Sequence, residues 1–193
     1  MARLSIFLIG VAFIAGTLGC DPGLDYLRIW NWHDLYAIRD NLSGHYVLMN
    51  DLDSASPGYT ELASPTANQG RGWQPTGTSD DRFIGSFDGQ GYEIRDLFIN
   101  RPDESMVGLF GAVDEGGVIQ NVGVVTTTVT GEWAVGGLLG GNWGAVSNSY
   151  STGSVSGDDC VGGLVGGDAG GVSNSYSTAS VTGLWDVGGL VGC

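Results

Sequence analysis

The 193-residue chain carries seven Arg, no Lys and 21 acidic residues, a formal net charge of −14. That field repels phosphate, so nucleic-acid binding and peripheral docking on anionic lipid are excluded; cations, neutral glycans and protein surfaces remain as partners. Hydrophobic residues at 42% exclude a disordered chain, and 35 Gly without a Gly-X-Y period exclude collagen.

Met1-Ala2-Arg3, the apolar run Leu4 to Ala15 and the small residues Gly16-Thr17-Leu18-Gly19 are the three parts of an export signal over residues 1–19. The apolar run is shorter than the ~20 residues of a comfortable membrane span. Leu18-Gly19-Cys20 resembles a bacterial lipobox, with Thr17 where Leu usually stands, so Cys20 is the expected lipidation site and plain secretion the alternative. Either way the chain is exported, and membrane attachment enters only through this segment. Cys160 and Cys193 are left, which an oxidising compartment permits but does not oblige to pair. Without CxxC or Cys/His spacing, a structural zinc site has nothing to build on.

Residues 20–82 read as a cap followed by a long loop. Asn31 can N-cap a short helix bearing Trp32, Leu35, Ile38 and Leu42 at helical spacing, with Gly44 ending it. His45 to Asp53 reads as a strand, and residues 54–82, with Pro57, Pro65, Gly70, Gly72 and Pro75, as loop. A helix and strand here would cover the edge of whatever stacks behind them.

Residues 83–193 are a repeat array. Val135-Gly-Gly-Leu-Leu-Gly, Val161-Gly-Gly-Leu-Val-Gly and Val187-Gly-Gly-Leu-Val-Gly recur every 26 residues, and Val146-Ser-Asn-Ser-Tyr-Ser-Thr recurs from Val172. Looser copies run from Val107 and from Phe83. A fixed period of this size marks a solenoid. Helical solenoids are excluded, because each Gly costs a helix about 1 kcal/mol relative to Ala. Alternation in Val146, Asn148 and Tyr150 against three serines favours strands. The expectation is a parallel β-helix of about four to five coils, three strands per coil, with glycine at the positive-φ corners. The array breaks off six residues past Val187, as expected for part of a longer protein.

Equivalent positions on successive coils form columns. Asp96, Asn121, Asn148 and Asn174 are expected to form an inward, hydrogen-bonded structural ladder. Glu132, Asp158, Asp159 and Asp186 gather carboxylates on turns, where Ca2+ is the one cofactor they would admit; acidic turns serving solubility are the simpler explanation. Trp133, Trp143 and Trp185 sit on turns, where indoles either stack on sugar rings or pack on neighbouring coils.

No catalytic motif emerges. His33 and His45 are the only histidines, HExxH and GxSxG are absent, and a chain without Lys cannot form a Ser-Lys dyad or a P-loop. Asp88 in Phe87-Asp88-Gly89 is the one acid/base candidate, but Asp-Gly is first a turn signal.

The Val-Gly-Gly-Leu-Val-Gly element with its Asn-Ser-Tyr partner closely resembles the GLUG-motif repeats, and Gly72-Trp73-Gln74-Pro75 through Phe87-Asp88-Gly89-Gln90-Gly91 resembles the lead-in before them. Such repeats occur in bacterial and archaeal surface proteins, including adhesin-like proteins and non-catalytic parts of some immunoglobulin-cleaving metallopeptidases. The resemblance implies a right-handed β-helix at the cell surface and no catalytic residues. The reading is a non-catalytic surface or secreted module for adhesion, glycan or protein interaction. Its rivals are a polysaccharide lyase or hydrolase and a structural stalk of a longer surface protein.

Overall fold

The computed structural model describes residues 25–193; the expected export signal and Cys20 lie outside the described residues. Among the described residues, six parallel strands form a first sheet in chain order: Tyr26–Ile29, His45–Leu48, Ser86–Asp88, Val118–Gln120, Ala145–Ser147 and Gly171–Ser173. From these the chain turns onto a second sheet, built of Glu93–Arg95, Phe98–Asn100, Gly123–Thr130, Tyr150–Ser156, Tyr176–Ser177 and Ser180–Thr182. A third sheet holds Trp133–Gly136, Asp159–Gly162 and Val187–Gly188, and a fourth holds Phe110–Val113, Leu139–Asn142 and Val165–Asp168. The chain then returns to the first sheet. The molecule is a parallel β-solenoid of about four coils, and Ala145 pairs with Val118 and Gly171, 27 and 26 residues away.

Each regular coil visits four sheets, where three strands were expected. The Gly-Gly-Leu element makes the difference. Gly136-Gly137-Leu138 folds the chain between Trp133–Gly136 and Leu139–Asn142, making two strands of this stretch.

The glycines of this element do not supply the corners. Among the glycines of residues 131–193 only Gly153 has a positive φ, whereas the repeated left-handed corners fall on Asn148 and Asn174, and on Ala134, Cys160 and Asp186. Asn tolerates that region because its side chain bonds locally. The glycines permit close approach instead: a Cβ on Gly136 would lie 2.7 Å from the Leu164 carbonyl oxygen, and one on Gly162 would fall on that of Val165. Third and fourth sheets therefore meet backbone to backbone, with Val135, Leu138, Leu139, Val161, Leu164 and Val165 buried around the seam.

The first coils are longer, since Ser86 pairs with His45 and Val118, 41 and 32 residues away. Helix α1, Trp32–Tyr36, is N-capped by Asn31, whose Oδ1 accepts from His33 N at 2.9 Å and Asp34 N at 3.0 Å. It continues as a 3-10 turn over Ala37–Asp40 and stops short of Gly44, burying Trp32, Leu35 and Ile38. The strand after it ends at Leu48, short of Asp53. Tyr26–Ile29, which the sequence reading missed, precedes α1 and pairs in parallel with His45–Leu48.

Residues 54–82 are not a plain loop. They form helix α2, Tyr59–Leu62, and a 3-10 turn at Ala67–Gly70, then bridge the stack at Gly72 to Ile99 and Thr76 to Phe110. Trp73 is fully buried and its Nε1 donates to the Leu109 carbonyl at 2.9 Å. The segment serves as an irregular first coil whose pairings are isolated bridges, which Pro and Gly disguise in the sequence.

Candidate ligand-binding cleft

The site is built where the third and fourth sheets diverge. Trp133 opens one strand and Trp143 follows another, so the short fold-back at Gly137 brings two indoles ten residues apart to one cleft. Ala134, Gly141, Gly167 and Ala169 line it with small side chains, and Asn142, Asp168 and Cys193 complete it around about 190 Å³. That volume is below the ~300 Å³ of the smallest drug-sized pockets and suits a single ring.

Its polar groups are held in place. Asn142 is buried; its Nδ2 donates to Asp168 Oδ1 at 2.7 Å, and its Oδ1 accepts from Gly144 N at 3.1 Å. Gly170 N also donates to Asp168 Oδ1, at 3.3 Å, so the bonds holding this carboxylate all fall on one oxygen. Trp143 is half-buried, with the Arg82 guanidinium 3.8 Å from a ring centroid and Arg82 Nη1 3.2 Å from Asp114 Oδ1. Trp133 is 38% exposed. Trp185, the third expected indole, stacks in the Trp133 column but stands outside the cleft at 70% exposure.

Cys160 and Cys193 form a disulfide with Cα atoms 5.1 Å apart, tying the corner of one coil to the last residue. Of the four expected calcium ligands, the structure brings Asp159 and Asp186 together, and their nearest third group is the Cys160 sulfur. That sulfur is bound in the disulfide and is no thiolate ligand. Glu132 and Asp158 stand outside this group and meet through backbone, Asp158 N donating to the Glu132 carbonyl at 2.8 Å.

The expected inward ladder faces outward. Asn148 and Asn174 are exposed, and Asn148 Nδ2 donates to Asn121 Oδ1 at 3.2 Å. Asn121 Nδ2 in turn donates to Asp88 Oδ1 at 3.0 Å, so the residue below the asparagines is Asp88, not Asp96. Asp96 stands a sheet away, where burial would raise its pKa, but bonds from Thr126 and Ser54 and the nearby Arg95 hold it below the ordinary value. Asp88, the acid/base candidate, is buried and also accepts from Gln90 N at 2.8 Å and Gln120 Nε2 at 3.2 Å. Three donors on one carboxylate suit a structural anchor.

Tyr150 and Tyr176 stack on the outer face as the repeat predicts, centroids 5.1 Å apart. Sequence reasoning missed that the Tyr150 hydroxyl reaches Glu93 across Gly123. A Cβ on Gly123 would lie 2.5 Å from the Tyr150 ring, so glycine is what lets the ring span two coils. Burial, then the Glu93 carboxylate, pushes the Tyr150 pKa up to about 12. The break in the tyrosine column at Gly123 was the available signal.

These features define a repeat-built β-solenoid carrying one two-tryptophan cleft. The GLUG motif model matches residues 131–156, one coil of the array, so the chain carries a GLUG motif within its repeats. It is 38% identical over 107 residues to a protein of Evansella cellulosilytica described as a Gly-rich membrane protein, a match covering 54% of this chain and 12% of that one. It is 35% identical over 127 residues to halomucin of Haloquadratum walsbyi, covering 63% of this chain and 1% of that protein. The chain therefore spans only a small part of either relative's length. Among solved structures, it is similar to a Bacteroides ovatus protein described as an immunoglobulin A1 protease, with a TM-score of 0.59 and 18% identity over 87% of this chain and 61% of that one. That likeness shows the fold alone.

Proposed function

We propose that this chain is a non-catalytic module of an exported surface protein, and that it binds a neutral glycan in the Trp133–Trp143 cleft. The observation carrying this reading is the meeting of two indoles over small residues beside the Asn142–Asp168 pair. Indole faces stack on the C–H faces of a sugar ring, and a carboxylate oxygen outside the supporting bonds accepts from ring hydroxyls. A net charge of −14 favours neutral over acidic sugars.

Export is supported by the Cys160–Cys193 disulfide, which persists in oxidising compartments. Relatives named a Gly-rich membrane protein and halomucin favour the same location, and a lipid on Cys20 is the proposed anchor. Asp88 supports the non-catalytic part of the reading, being engaged by three donors.

The test is titration calorimetry of residues 25–193 against neutral gluco-, manno-, galacto- and xylo-oligosaccharides. Trp133→Ala and Trp143→Ala should each weaken binding at least tenfold, about 1.4 kcal/mol, while Trp185→Ala leaves it unchanged. Binding that survives both cleft substitutions would overturn the assignment.

A further inference from the structure

A second hollow adjoins the tryptophan cleft. It measures about 180 Å³ and is lined by Gln74, Thr78, Ser79, Glu104, Ser105 and Met106, with Pro75 and Gly77 behind them. Met106 joins the two. It occupies the left-handed corner equivalent to Ala134 and Cys160, its N–H donates to the Trp133 carbonyl at 2.7 Å, and its Sδ lies 3.7 Å from where a Cβ on Gly141 would stand. Gly141 and Ala134 in turn line the cleft. The hollows therefore follow one another along the solenoid axis, in a groove between the corner column Met106–Ala134–Cys160 and the outward residues Gly141 and Gly167.

The two ends differ in chemistry. One offers indoles, and the other offers an amide, hydroxyls and a carboxylate. Glu104 is neutralised locally, accepting from Arg101 Nη1 at 3.0 and 3.1 Å and from Arg71 Nη2 at 2.8 Å. The lower hollow therefore presents hydrogen-bonding groups without a strong field of its own.

We infer that the groove is one extended site for a neutral oligosaccharide, with one residue stacked in the tryptophan cleft and the next ones hydrogen-bonded in the hollow beyond Met106. The inference rests on the glycan reading above and adds a direction and a length. A linear chain of rings matches two ring-sized hollows on one axis, and each ring added beyond the first gains contacts until the groove is filled. Charge argues for a neutral chain, because the −14 field opposes uronates and sulfated sugars.

The experiment measures affinity against oligomer length, one to six residues, in the same four neutral series. Affinity should rise at least tenfold from one residue to three and level off by about four. Ser105→Trp, at an exposed position, should fill the lower hollow and return trimers to monosaccharide affinity, leaving the monosaccharide value and the melting temperature unchanged. Gln74→Ala should remove part of the same increment. Equal affinity at all lengths, or an increment insensitive to both substitutions, would overturn the extended groove while leaving the tryptophan cleft standing. No binding in any series would overturn both.

Discussion

The early coils and the repeat coils solve one packing problem in opposite ways. In residues 26–113 the coils are long and irregular, and the interior is filled by Trp32, Trp73, Phe83, Phe87 and Phe110, with Phe83 and Phe110 rings 5.2 Å apart. In residues 118–193 the coils are short, and Val and Leu fill an interior narrowed by glycine contacts. Bulk sets the girth in the first region, and its absence sets it in the second. A long coil can bend insertions such as Tyr59–Leu62 over its rim, whereas a 26-residue coil has no surplus chain. The difference explains why the cleft lies among the repeats. Glycine floors leave room outside the sheets, and only projecting side chains such as Trp133 and Trp143 are needed to wall it.

The sharpest way to break this contrast is to add a methyl group. Gly162→Ala would set a Cβ on the Val165 carbonyl and 2.7 Å from Gly192 N, and should cost about 3–5 kcal/mol in urea unfolding. Gly171→Ala, with nothing within 4 Å, should stay within about 0.5 kcal/mol. Equal costs would mean that the repeat glycines act through chain entropy and not through approach. Next in size is the disulfide. Replacing Cys160 and Cys193 by Ser opens a loop with a sequence separation of 33 and should cost about 3–4 kcal/mol on the chain-entropy model. Hydrogen exchange should place the loss in residues 159–193 and leave the aromatic coils protected.

The same contrast governs what the sequence reveals. In the repeats, the 26-residue period predicts the register: Val161 pairs with Val135 and Val187 as the spacing requires. Before the repeats the step lengthens to 32 residues at Ser86–Val118, so Asp96, only 25 residues before Asn121, falls outside the column, and the carboxylate that accepts from Asn121 is that of Asp88. Period also fixes columns without fixing facing. The asparagines stack, but on a left-handed corner that turns Asn148 and Asn174 to solvent. The tryptophans were legible one at a time. Their meeting depends on a fold-back at Gly137 that alternation alone does not show.

Smaller substitutions test the corners. Asn148 holds a φ of 49°, where an ordinary L-residue costs roughly 1–2 kcal/mol. Asn148→Ala should therefore lose about 1 kcal/mol, whereas Asn148→Gly should be near neutral despite losing the bond to Asn121. If Ala and Gly prove equivalent, the side-chain ladder and not the backbone corner is what Asn supplies.

The weakest expected effect is an alkaline one, and it reports on the outer tyrosine pair. An unfolded tyrosine titrates near 10, whereas burial and the Glu93 carboxylate raise Tyr150 to about 12. Between those values the unfolded chain gives up its proton first. The contribution is thus complete below pH 10 and is lost as pH rises towards 12. Tyr46 and Tyr59 shift the same way, raised by burial and by Asp40 and Asp96 respectively, so tyrosinate absorbance should show a late-titrating fraction. Tyr150→Phe should remove one residue from that fraction and flatten the pH dependence in proportion, while keeping the ring stacked on Tyr176. If the late fraction survives unchanged in this variant, the hydroxyl does not reach Glu93 across Gly123. The two-coil span of the tyrosine would then have no energetic role in the stack.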